Sequence, residues 1–86
     1  MKRISLTYKG IRRVVEPHAY GVSLKGSELL RCYQTCGGHE SARPHNWALL
    51  TVSKITSLSV LEEGFSSPRD GYRRGDEAMS TIYAQL

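Results

Sequence analysis

Residues 4–17 read ISLTYKGIRRVVEP, and how this stretch is read decides the fold class. Ile4, Leu6 and Tyr8 alternate with polar residues, the period-two pattern of a strand with one buried face. Lys9-Gly10 supplies a turn, and the β-branched residues Ile11, Val14 and Val15 follow it, so a β-hairpin is expected. Pro17 has no amide hydrogen to give to a ladder and is expected to end the pairing or to sit at an edge.

C-terminal to His18-Ala19-Tyr20-Gly21, Lys25-Gly26 marks another turn. Leu29, Leu30, Cys32 and Tyr33 then predict a third or fourth strand with some burial on both faces. Residues 35–46, TCGGHESARPHN, are polar and carry a Gly pair, a Pro and an Asn, which marks a loop long enough to be functional or mobile. WALLTV at 47–52 and ITSLSVL at 55–61 hold period two through Leu50, Val52, Leu58 and Val60; they read either as one bent strand or as a strand pair. The tail FSSPRDGYRRGDEAM, from Phe65, is rich in Gly, Pro and Ser, and Asp76-Glu77 are placed to cap one helical turn of EAMSTIY. Short strands, frequent turns and little helix predict a mainly β chain, curled or closed into a small antiparallel barrel, because a flat sheet this small leaves vulnerable edges. With no internal repeat or linker, residues 1–86 are expected to form one domain.

The composition, 40% apolar with five Tyr, one Trp and one Phe, is too apolar for a disordered segment. No apolar run approaches the roughly 18 residues that span a bilayer, and MKRISLTYKG has basic residues without an apolar stretch behind them. A soluble, cytoplasmic protein is expected. Through Arg43 there are eight Lys/Arg against three Asp/Glu, and after it four against five. A basic excess concentrated in one half is the footprint of an anionic partner such as nucleic acid or a phosphorylated ligand, or else a solvated face that keeps a small protein soluble.

Catalytic signatures are thin. The sequence contains no G-x-S-x-G, no H-E-x-x-H and no phosphate loop. Glu62-Glu63 and Asp76-Glu77 are sequence neighbours, so along a strand their side chains face opposite ways. The chain is expected not to be an enzyme and to need no cofactor; a Cys-His nucleophile from Cys32 or Cys36 with His39 or His45 is specified by nothing. The same four residues give C-x3-C-x2-H-x5-H, but finger-type zinc sites separate the Cys pair from the His pair by about a dozen residues. Cys32 reads better as a small buried side chain and Cys36 as a free loop thiol.

Basic and aromatic residues make a stronger pattern. Arg12 and Arg13, Arg31 with Tyr33, and Arg43 and His45 with Trp47 lie on or beside predicted strands, and a curled sheet can gather several on one surface. Guanidinium groups hold phosphate oxygens through paired hydrogen bonds, and aromatic faces stack on bases at about 1–3 kcal/mol each. Against this, Arg12 and Arg13 are adjacent, so only one faces a given side, and Tyr33 and Trp47 each read more readily as core than as platform.

Four segments carry a family resemblance: RVVEPH at 13–18, LRCYQT at 30–35, WALLTVSKI at 47–55 and FSSPRDGY at 65–72. Their order and spacing resemble the bacterial WYL domain over nearly the whole chain. The resemblance implies a small SH3-like or Sm-like β-barrel, of the kind that sits behind a winged-helix domain in transcription regulators or accompanies phage-defence proteins, with a basic groove for nucleic acid or nucleotide ligands. It places Arg13, His18, Tyr20, Arg31, Tyr33 and Lys54 in that groove; Arg43 and His45 join them as rim residues. Ala48, Leu49, Leu50 and Thr51 stand where the family often has Arg.

Under this reading the chain is a stand-alone WYL-like sensor domain binding nucleic acid or a nucleotide-type anion. The alternative is a protein-interaction or inhibitory module, of phage or mobile-element origin, using a barrel edge; strand pairing at such an edge also makes a homodimer an expectation. Trp47 is expected to close one end of the barrel core with Phe65, Tyr72 and Tyr83 packed around it, or, if exposed in the groove, to be a stacking platform.

Overall fold

A computed structural model describes residues 1–37 and 47–86. Among these residues six strands follow in order: β1 (Lys2–Tyr8), β2 (Ile11–Val22), β3 (Glu28–Gly37), β4 (Trp47–Thr51), β5 (Ile55–Gly64) and β6 (Thr81–Gln85), with a 3₁₀ turn at Val52–Lys54 between β4 and β5. All the pairings are antiparallel, and the ladder runs β4-β3-β2-β1-β5 with β6 added to β2. The chain is therefore mainly β, as its sequence pattern predicts.

The opening hairpin forms as read. Tyr8 pairs with Ile11, which leaves Lys9 and Gly10 as a two-residue loop, and both have positive φ, 49° and 78°. Two successive positive-φ residues match the right-handed twist of the flanking strands, so the loop joins them without splaying the pair. Pro17 does not end β2. The strand continues to Val22, and along one edge β1 pairs as far as Val15 while β6 takes over from Ala19. Pro17 falls between the two partners, beside a register shift in the β2–β3 ladder, a place where a missing donor costs little.

WALLTV and ITSLSVL prove to be two strands at opposite ends of the ladder rather than a bonded pair. Only three residues separate β4 from β5, so the sheet curls until its two end strands meet at a corner. The extents of 29 × 28 × 24 Å fit a curled sheet and not a flat one, whose layers pack about 10 Å apart. The ladder found among the described residues contains no β4–β5 pairing.

The concave face holds one core, built on Leu6, Tyr8, Val15, Leu30, Cys32 and Leu50. The period-two positions of β1 and β2 supply it because cross-strand partners share a face: Leu6 lies opposite Arg13, and Ile4 opposite Val15. A second cluster, Ala19, Leu29 and Met79, lies where the tail returns. Glycine is required there: a Cβ on Gly21 would sit 2.3 Å from the Thr81 carbonyl oxygen, so β6 reaches β2 only across a residue without a side chain. The one helical turn expected in EAMSTIY does not form: residues 76–79 make a hydrogen-bonded turn, in which the Asp76 carboxylate accepts from the Ala78 amide and the Asp76 carbonyl from the Met79 amide, and Thr81 onward is strand because it pairs with β2.

Candidate functional site

Glu16, Tyr33 and Trp47 stand side by side across β2, β3 and β4. They form a row that is strapped down by residues 65–72 of the tail. Glu16 is fully buried and sits at the centre of the fastening. Arg69 donates to both of its oxygens, Nε to Oε1 at 2.6 Å and Nη2 to Oε2 at 3.1 Å, and Arg3 Nε donates to Oε2 at 2.9 Å. The Arg69 hydrogen bonds, joined by the one from Arg3, hold the Glu16 carboxyl below the usual range despite its burial. The Arg69 guanidinium also lies over the Tyr33 ring, 4.7 Å from its centre.

His18 is the second fastening. Its Nδ1 is 2.8 Å from the Glu16 carbonyl oxygen, and its Nε2 accepts from the Arg69 backbone amide at 3.0 Å. An amide that can only donate to Nε2 sets the tautomer: Nδ1 carries the proton and the ring is neutral. Burial pushes the His18 pKa down. The ring meets Trp47 edge-on at 4.7 Å, stacks with Phe65 at 5.4 Å and packs against Tyr72 at 5.1 Å. Trp47 Nε1 donates to the Asp70 carbonyl oxygen at 3.0 Å, and the Tyr72 hydroxyl lies 3.3 Å from the His18 carbonyl oxygen and 3.2 Å from that of Leu86. Gly71, with φ of 90°, brings the strap against the indole; a Cβ there would come within 3.2 Å of Trp47 Nε1.

Beside the strap opens a cavity of about 410 Å³, lined chiefly by Arg31, Trp47, Tyr72, Arg73, Arg74 and Asp76. That volume lies within the range of about 300–1,000 Å³ typical of small-ligand sites. The Trp47 and Tyr72 rings are near-parallel, 24° apart in plane with centres 6.2 Å apart, and make an aromatic wall. Arg31 pairs with Asp76 through Nε to Oδ2 at 2.6 Å and Nη2 to Oδ1 at 3.3 Å, and this pairing holds the Asp76 carboxyl below its usual range. Arg74 donates to the Leu86 carbonyl oxygen at 2.9 Å. Arg73 is exposed and makes no hydrogen bond or ion pair among the described residues.

No family model, curated protein or solved structure matches this chain.

Of the residues that the sequence nominated, Arg31 lines the cavity, and Tyr33 packs edge-on against the Trp47 wall at 5.5 Å. His18 is 2% exposed and fastens the strap from beneath. Arg13 is 5% exposed on the concave side, 5.1 Å from the Tyr8 ring centre, with Nε and Nη2 lacking hydrogen-bond partners among the described residues. Neither His18 nor Arg13 presents a groove surface. The Tyr20 hydroxyl bonds the Glu28 carboxylate, and its ring packs on Tyr83; Lys54 is exposed on the 3₁₀ turn. Arg43 and His45 lie outside the described residues, as do His39 and the Cys36 side chain. Trp47 belongs not to the concave core but to the layer between sheet and strap, with Tyr72 and, through His18, Phe65. Tyr83 stands apart from it and is 56% exposed.

Cys32 is fully buried, and its thiol is pushed up to about 12 by that burial. It is inert as a nucleophile. Among the described residues no three His, Cys, Asp or Glu side chains converge as metal ligands. The residues that sequence reasoning did not nominate for the site are Glu16, Arg69, Arg73, Arg74 and Asp76; Tyr72 was expected beside Trp47 and packs there. A signal for the three arginines exists in RDGYRR at 69–74, which interleaves them with an aromatic, but a charge count over each half of the chain hides it among the acidic residues of the second half.

Proposed function

We propose that this chain is a WYL-like ligand-sensing domain that binds nucleic acid or a nucleotide-type anionic ligand in the cavity between sheet and tail. The observation that carries this reading is the near-parallel Trp47–Tyr72 wall set beside three arginines in one cavity. A base offers a flat π-face to such a wall, and a phosphate takes paired hydrogen bonds from guanidinium groups. Three arginines against two carboxylates, Asp76 and Glu77, leave the lining net positive. The four-segment resemblance supports the same class of ligand.

The test is titration of labelled single-stranded DNA and RNA oligomers at two salt concentrations, followed by anisotropy and by Trp47 emission. Binding that quenches Trp47, weakens with salt and falls in Arg73→Ala is the expected result; removing one phosphate contact flattens the log–log salt slope by about 0.7 for single strands. Absence of binding at low salt overturns the reading. A second reading, a protein-interaction module, is favoured by the end of the ladder at β5, where Leu58 and Val60 are 54% and 65% exposed. Binding through that edge would be nearly indifferent to salt.

A further inference from the structure

The Arg31–Asp76 pair stands in the wall of the cavity that the proposed ligand would fill. Asp76 presents two oxygens to the Arg31 fork, the arrangement in which a guanidinium also grips a phosphate. The pair is shielded, with side-chain exposures of 29% for Arg31 and 9% for Asp76. Asp76 also organises the turn that leads to β6: its side chain accepts from the Ala78 amide, its carbonyl accepts from the Met79 amide, and Met79 is 6% exposed against Ala19 and Leu29. Ser80 then donates to the Val22 carbonyl oxygen, and β6 begins.

We infer that Asp76 is an internal stand-in for phosphate, and that the cavity selects a terminal phosphate, which displaces Asp76 from Arg31 and loosens the turn leading into β6. This rests on the ligand-binding reading above. The selectivity comes from charge. A backbone phosphodiester carries one negative charge, as the Asp76 carboxylate does, so exchanging one for the other on Arg31 gains nothing. A phosphomonoester carries about −1.5 to −2 at neutral pH and offers three oxygens. It can outcompete the carboxylate on Arg31 while its remaining oxygens meet Arg73. Internal phosphates are left to the exposed arginines, and the strand end is what the Arg31 fork reads. The Asp76 side chain, once released, no longer caps Ala78, so occupancy of the cavity is transmitted to the Met79 anchor and β6.

The experiment compares thymidine pentamers bearing a 5′-phosphate, a 3′-phosphate or hydroxyl ends, titrated against the full chain and against Asp76→Asn and Arg31→Gln, with circular dichroism confirming each fold. The expected result is that one phosphorylated pentamer binds the unaltered protein about tenfold or more tightly than the hydroxyl-ended one. Asp76→Asn should bind the hydroxyl-ended pentamer more tightly and so shrink the ratio, and Arg31→Gln should bring it near one. Hydrogen exchange at the Ala78 and Met79 amides should quicken when the phosphorylated pentamer is bound. Equal affinity of all three pentamers for the unaltered protein overturns the inference while leaving the ligand-binding reading intact, as does a ratio unchanged in Asp76→Asn. Failure of every pentamer to bind either the unaltered protein or Asp76→Asn overturns both.

Discussion

Glu16 and His18 are two residues apart on β2, and each fastens the strap by a different chemistry, so each fails at a different pH. His18 is held neutral, with its pKa below the ordinary 6.5. The unfolded chain therefore takes up the proton first as pH falls, and stability declines from about pH 6.5 until the folded pKa is passed. The carboxyls of Glu16 and Asp76 are depressed below 4.5 and 3.8; the stability they contribute is complete above those values and is lost as pH falls through the folded pKa. Melting temperatures measured from pH 7.5 to 3.5 should fall in two stages, and His18→Gln should remove the upper stage alone. Equal slopes in both proteins between pH 6.5 and 5 would contradict this assignment. Glu16→Gln leaves two guanidinium groups short of their counter-charge; because Arg3 and Arg69 are partly exposed, a loss of about 2 kcal/mol in urea titrations is expected, below the roughly 3–5 kcal/mol of breaking a fully buried pair. Arg13 presents the opposite case. Its Nε and Nη2 are buried without partners among the described residues, so Arg13→Met, which fills about the same volume without the desolvated charge, should stabilise the fold by about 1 kcal/mol or more. A destabilised Arg13→Met would mean that the guanidinium contributes more through the Tyr8 ring than it loses by burial.

At the level of elements, the local signals were legible where the chain pairs with its neighbour in sequence. Alternation and the Lys9-Gly10 turn mark the first hairpin, and Leu29 to Tyr33 mark β3. The misses share a cause: each depends on a partner far along the chain. Pro17 sits within a strand because β1 leaves and β6 arrives on either side of it, and nothing near residue 17 announces residues 81–85. Thr81–Gln85 is strand because β2 offers it an edge across Gly21. Half of the candidate site was invisible for the same reason, since Arg31 and Trp47 were nominated while the tail that completes their cavity was read for its turns and its aromatic packing and not for its arginines. Gly21→Ala tests the long-range pairing directly. Its Cβ would meet Thr81 backbone at 2.3 Å and the Met79 sulfur at 2.9 Å, and backbone yields less readily than a side-chain end. A loss of about 1–3 kcal/mol is expected, with hydrogen-exchange protection disappearing first in β6 while the β1–β2 hairpin keeps its own. Uniform loss of protection throughout the sheet would show that β6 is not a separable element.

At the scale of the whole molecule, β2 belongs to two layers at once. Its concave side gives Arg13 and Val15 to the core with Leu6 and Leu50, and its other side gives Glu16, His18 and Ala19 to the layer under the tail. A strand shared in this way couples the layers, because the strap cannot detach without exposing the buried Glu16 carboxylate, and the inner core cannot open without moving the strap's anchors. Trp47, the single tryptophan, reports on the outer layer through its bond to Asp70 and its contact with His18, whereas far-UV dichroism reports on the sheet as a whole. The two urea transitions should therefore coincide in the unaltered protein, the signature of one cooperative unit. Glu16→Gln weakens the strap more than the sheet, and in that variant the tryptophan transition should move to lower urea than the dichroism. If the two already separate in the unaltered protein, the tail is an independently docking cover, and ligand binding in the cavity would then be coupled to closing it rather than to a rigid preformed site.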